Sequence, residues 1–88
     1  MITAKEAREL CVTERRKFWH KTIKQAIINA ARVGEEETPY WTKYSGLRDE
    51  YDVRALVIER KEFEKLGYSF SGHDGIWYVS WKEGVDNA

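Results

Sequence analysis

Leu66 to Trp81 reads LGYSFSGHDGIWYVSW, and this stretch decides the fold because it gathers five aromatic residues and two turn signals into sixteen positions. Tyr68 and Phe70 alternate with serines, Gly72-His73-Asp74-Gly75 supplies residues that tolerate a tight reversal, and Ile76 to Trp81 is a β-branched and aromatic run. The pattern predicts a β-hairpin. With Gly72 to Gly75 as a four-residue loop, Ser71 faces Ile76 and Phe70 faces Trp77, so Tyr68, Phe70, Trp77, Val79 and Trp81 share one face, the expected core.

Immediately upstream, Val53, Leu56, Val57, Arg60 and Phe63 recur at helical spacing, and Asp49, Glu50 and Asp52 place negative charge where a helix N-terminus favours it. Gly67 stands where the left-handed residue after a helix belongs, which lets Tyr68 fold back on Phe63. Further back, Glu35-Glu36-Glu37-Thr38-Pro39 reads as an acidic connection into a strand, Tyr40-Trp41-Thr42-Lys43-Tyr44, ended by Ser45-Gly46. Alternation puts Tyr40, Thr42 and Tyr44 on one side of that strand and Trp41 and Lys43 on the other.

At the N-terminus Thr3 and Glu6 form a capping box, so a helix begins at about Ala4, and Gly34 marks its end near Val33. Trp19, Ile23, Ala26, Ile27, Ala30 and Val33 make a single apolar stripe, with Lys17, Lys21 and Lys24 opposite. Ala4, Ala7, Cys11 and Phe18 lie on another face, rotated by roughly 100°. Either the helix breaks near Thr13, itself a possible N-cap, or one long helix buries its first turns against a second copy; the long helix with a homodimer is the expectation. The order is thus α-β-α-β-β: an α+β, two-layer fold with both helices on a three-stranded antiparallel sheet. It makes one domain over residues 1–81, with 82–88 as a frayed tail.

Composition narrows the function classes. The 88 residues are 42% hydrophobic and 34% charged with one proline, which excludes a low-complexity chain. No run approaches a membrane span, and the charged N-terminus and lone Cys11 point to a cytoplasm. Net charge is zero but uneven: residues 1–33 carry eight Lys/Arg against three Asp/Glu, and from Arg15 to Arg32 there is no acid. Such a dipole suits a polyanion on the face of Arg15, Arg16, Lys17, Lys21 and Lys24, or a second copy of the chain, or simply a solvated helix neutralised by acids elsewhere in the fold.

No catalytic or metal set stands out. His73-Asp74 reads as turn residues, His20 sits among lysines, and Cys11 has no identifiable base and reads as a small buried apolar residue. No metal and no cofactor are expected, and an enzyme ranks below a binding protein. Among twelve aromatics, Trp41, Tyr51 and Tyr78 fall off the expected core faces and are candidate partner contacts.

The opening ITAKEAREL, the G-E-E connection into an aromatic strand, the helix ending KLGY and the terminal IWYVSW together resemble a class of small tailed-bacteriophage proteins of mostly unknown function. The stretch V-R-x-L followed by L-G-Y is matched by Val53, Arg54, Leu56, Leu66, Gly67 and Tyr68, and an aromatic-x-SW ending by Tyr78, Ser80 and Trp81. CVTERRKFWH and YSGLRDEYD depart from the usual spacing. The resemblance implies a non-enzymatic protein that binds a host or defence-system component in the host cytoplasm. The alternative is a nucleic-acid or nucleotide binder using the basic helix face.

Overall fold

The computed structural model describes residues 1–42 and 49–82. Helix α1 (Ala4–Arg32), strand β1 (Glu37–Thr42), helix α2 (Glu50–Glu64) and strands β2 (Ser69–His73) and β3 (Ile76–Ser80) follow in the expected α-β-α-β-β order. The strands form an antiparallel sheet in the order β1-β3-β2, with α1 against β1 and α2, and α2 against β2. The expected ends of the first strand, Lys43 and Tyr44 with Ser45-Gly46, lie outside the described residues, as does all of the expected tail except the exposed Lys82.

Helix α1 is closed at both ends by the predicted devices. The Thr3 hydroxyl accepts from the Glu6 N–H at 3.1 Å while the Glu6 carboxylate accepts from the Thr3 N–H at 3.4 Å. Gly34 adopts φ 84°, and the Gly34 and Glu35 N–H groups donate to the Ala31 and Ala30 carbonyls, which satisfies two groups the helix end leaves open. There is no break at Thr13: its hydroxyl donates to the Glu9 carbonyl one turn back, at 3.0 Å. The stripe holds from Trp19 to Ile27, with Trp19 and Ile23 fully buried, but Val33 is 76% exposed. Val33 is the C-cap, where the chain is already leaving the helix, so its side chain no longer follows the stripe.

Residues 1–11 are exposed throughout, and contact with the core begins at Val12. The first turns of α1 therefore form an arm that its own fold leaves uncovered. Cys11, expected to be buried, is exposed on it.

Strand β1 starts three residues earlier than expected, at Glu37, and its simple alternation fails at a bulge between Pro39 and Trp41. Pro39 has no N–H to give a ladder, which suits an edge strand and a bulge. The extra residue brings both Tyr40 and Trp41 to the core instead of opposite faces: Tyr40 is buried and Trp41 packs edge-on to Trp19 with ring centroids 4.5 Å apart.

Helix α2 begins at the N-cap Asp49, whose carboxylate accepts from the Tyr51 and Asp52 N–H groups at 3.0 and 3.2 Å. Its inner face keeps the expected Leu56 and Phe63 but is rotated away from Val53 and Val57. Asp52, Ala55, Leu56, Glu59 and Phe63 are buried, while Val53 and Val57 are 45% and 43% exposed. Two acids take inner positions because arginines of α1 meet them there. At the other end Gly67 (φ 100°) and Tyr68 donate to the Glu64 and Phe63 carbonyls, and the Tyr68 ring meets Phe63 edge-on at 5.7 Å, as predicted.

The hairpin turn is two residues, not four. Asp74 (φ 53°) and Gly75 (φ 77°) form a type I′ turn, so Phe70 pairs with Val79 and Gly72 with Trp77. A shift of two leaves every side chain on its predicted face, and Tyr68, Phe70, Trp77 and Trp81 pack on the core around the fully buried Val79. Replacing Gly75 with Ala forces a left-handed side chain into the turn and should cost about 1–2 kcal/mol. The urea midpoint checks this; an unchanged midpoint would mean that another turn closes the hairpin.

Candidate functional site

The residues expected to make a basic face divide into two groups. Arg15 and Arg16 turn toward α2. Arg15 Nη1 lies 3.1 Å from Asp49 Oδ1 and 2.9 Å from Asp52 Oδ1, and the hydrogen bond to Asp52 is the main cause that holds its guanidinium above the ordinary range. Arg16 Nε donates to Glu59 Oε1 at 2.8 Å. His20 Nδ1 meets the other Glu59 oxygen at 3.3 Å, and since a carboxylate only accepts, Nδ1 carries the proton. Glu59, almost fully buried, is thus held by one residue from each of two successive turns of α1.

Thr13, Arg16, Lys17, His20 and Glu59 line a groove of about 430 Å³ along this seam. The His20–Glu59 contact has the form of an oriented base, while in the same groove the Thr13 hydroxyl donates to the Glu9 carbonyl and the Lys17 amine to Glu14. The contacts of Glu59 clamp the two helices together. Burial of Glu59 is tolerable because both oxygens are occupied.

Lys17 pairs with Glu14 at 2.9 Å, leaving Lys21 and Lys24 exposed and in no ion pair among the described residues. The polyanion surface read from the sequence is therefore much reduced, because tertiary acids neutralise its first members. The sequence signal for this was present in Asp49, Asp52 and Glu59, but only contact between the helices reveals their partners.

Of the three aromatic candidates, Trp41 belongs to the core, packed on Trp19. Tyr51 is half-buried in the first turn of α2, and Tyr78 is half-buried on the opposite sheet face from Val79, its ring 6.1 Å from His73. His73 closes strand β2 opposite Ile76 and is not at a loop tip.

Ala4, Ala7 and Cys11 lie exposed on the arm, with Ile2 and Leu10, both more than half exposed, which the sequence reading passed over. Leu10 falls on the side of the Ala4–Ala7–Cys11 face away from the core stripe, in line with Lys17, Lys21 and Lys24, so neither apolar stripe collects it. Phe18 is only partly exposed and meets Trp19 edge-on at 5.3 Å, so it also supports the core. Among the described residues no group of three or more His, Cys, Asp or Glu could hold a metal, and no helix is long and apolar enough to cross a membrane.

Comparison with known proteins finds no matching family, no matching curated protein and no matching solved structure.

A double-mutant cycle tests the clamp. Arg16→Met leaves Glu59 buried with half of its partners and should destabilise by about 3 kcal/mol, while Arg16→Met with Glu59→Gln should recover at least half of that. Coupling near zero in chemical denaturation would show that the pair is spectator to the helix seam.

Proposed function

We propose that this chain is a non-enzymatic binding protein that engages a protein partner through the exposed arm of α1. The observation that carries the reading is the uninterrupted exposure of residues 1–11, a capped helix that presents Ile2, Ala4, Ala7, Leu10 and Cys11 to solvent. An isolated helix this short is marginal in water, and continuity with the anchored half of α1 keeps it formed. A preformed apolar helix face loses little conformational freedom on docking, which favours helix-in-groove recognition.

The resemblance to small tailed-phage proteins supports a viral origin, a host or defence-system component as the partner, and action in the host cytoplasm. The same arm supports a homodimer, with Ala4, Ala7 and Cys11 at its centre and Phe18 at its border. The alternative, nucleic-acid or nucleotide binding, rests on exposed Lys21 and Lys24 and is weakened by the engagement of Arg15, Arg16 and Lys17 with carboxylates.

Leu10→Glu is the clean probe, since Leu10 lies outside the core whereas Phe18 touches Trp19. Light scattering should give twice the 10.4 kDa chain mass for the wild type at about 100 µM and the single mass for a still-folded Leu10→Glu. Partners captured from a host lysate should persist after nuclease treatment and be lost with Leu10→Glu. A wild-type monomer whose captured partners are indifferent to Leu10→Glu would overturn the reading, and partners that vanish with nuclease would favour the nucleic-acid alternative.

A further inference from the structure

The arginines of the helix seam set a standard that Arg60 does not meet. Arg15 has two carboxylates and Arg16 has one. Arg60, the residue after Glu59 on α2 and half-buried, forms no ion pair among the described residues. Its Nε is fully enclosed and has no hydrogen-bond partner. A guanidinium taken partly out of water without an acceptor is costly, and such groups are ordinarily matched.

What surrounds Arg60 leaves its terminal Nη donors available, since of the guanidinium nitrogens only Nε is both enclosed and unpartnered. The guanidinium carbon sits 5.4 Å from the centroid of the Phe70 ring, which attracts the charge through the π face. That contact steadies the group without consuming its N–H donors, which lie in the guanidinium plane. In front of it is a notch of about 190 Å³ lined by Tyr40, Arg60, Ser71, Gly72 and Trp77. Gly72 keeps the notch open: a Cβ there would stand 3.3 Å from Trp77 Cδ1. Burial holds the Tyr40 phenol above its ordinary value, partly opposed by the Arg60 charge, so at neutral pH the hydroxyl remains a donor. The notch therefore combines one cation, the Tyr40 hydroxyl and two aromatic walls, and no lining residue is acidic.

We propose that this notch between α2 and the β2–β3 hairpin binds a carboxylate, held by the Arg60 fork and the Tyr40 hydroxyl, with an aromatic or aliphatic body against Trp77. A planar carboxylate matches the fork in two parallel hydrogen bonds. A single guanidinium balances a single negative charge, and with no second cation lining the notch a phosphate dianion is half-compensated. The site is separate from the α1 arm: it includes no residue of α1, so removing partner binding at Leu10 leaves it intact.

The test uses the isotopically labelled full chain, with benzoate, acetate and inorganic phosphate as probes, followed through the Arg60 Nε–H and Trp77 indole N–H resonances. Benzoate should shift both signals saturably, acetate more weakly, and phosphate should not displace benzoate at equal concentration. Arg60→Gln should weaken benzoate by about tenfold or more, as expected for loss of a charge-assisted pair. Arg60→Lys, which keeps the charge but loses the fork, should weaken it by a smaller factor, and it serves where Arg60→Gln does not fold. A short peptide ending in phenylalanine, with free or amidated C-terminus, separates the sources: preference for the free peptide over benzoate assigns a chain terminus, and the reverse assigns a small acid. Three results overturn the proposal: no saturable shift with benzoate, an affinity unchanged in both Arg60 variants, or phosphate competing as well as benzoate.

Discussion

Everything in this fold hangs on Trp19, fully buried at the middle of α1, with Trp41 of β1 edge-on at 4.5 Å and Phe18 at 5.3 Å. A small sheet cannot bury enough surface alone, so the largest side chain available is placed where the long helix crosses it. Truncating such a residue costs on the order of 3–5 kcal/mol, a large fraction of what a domain of this size possesses. The bulge in β1 follows from the same demand, because it directs two consecutive aromatic residues inward where regular pleating would direct one. The indole N–H of Trp19 reaches no acceptor among the described residues, so the contact rests on packing and ring geometry.

Around that wedge the two helices are joined by charge as much as by apolar contact. Asp52 and Glu59 sit on the buried face of α2, where valines were expected, and each meets an arginine of α1. Exchanging apolar for ionic inner positions adds little net stability, since desolvation offsets most of the attraction, but it defines which residue faces which. It also explains why a chain with a strongly basic first third does not present a uniformly basic surface. Arg60 is the member of this system left over, a charge on the same helix whose partner the described residues do not supply.

The parts of the fold that local chemistry dictates were legible in the sequence. Thr3 with Glu6, Gly34, and Gly67 with Tyr68 announced helix ends that formed as expected, because caps and left-handed glycines act within a few residues. The inward aromatic face of the hairpin was legible too, since a two-residue error in loop length preserves alternation. The face of α2 was not, because apolar spacing cannot anticipate that Asp52 and Glu59 are neutralised from another helix. Trp41 was misplaced for a related reason: a bulge breaks the period on which the assignment relied. Of the candidate sites, the exposed arm could be inferred from an apolar face off the main stripe, whereas Leu10 stands outside both stripes and the Arg60 notch and the seam groove depend on contacts between distant segments.

Helix α1 has an anchored half that builds the core and an exposed first part for which we propose a docking role. Native-state hydrogen exchange of the chain at low micromolar concentration tests this division most directly. A step in protection is expected: amides of residues 7–11 exchange by local fraying, and those from Trp19 to Ile27 exchange only with global unfolding, slower by at least ~10³-fold. Uniform protection along the whole of α1 in the monomer would contradict it, because the first turns would then have to be covered by the chain's own fold.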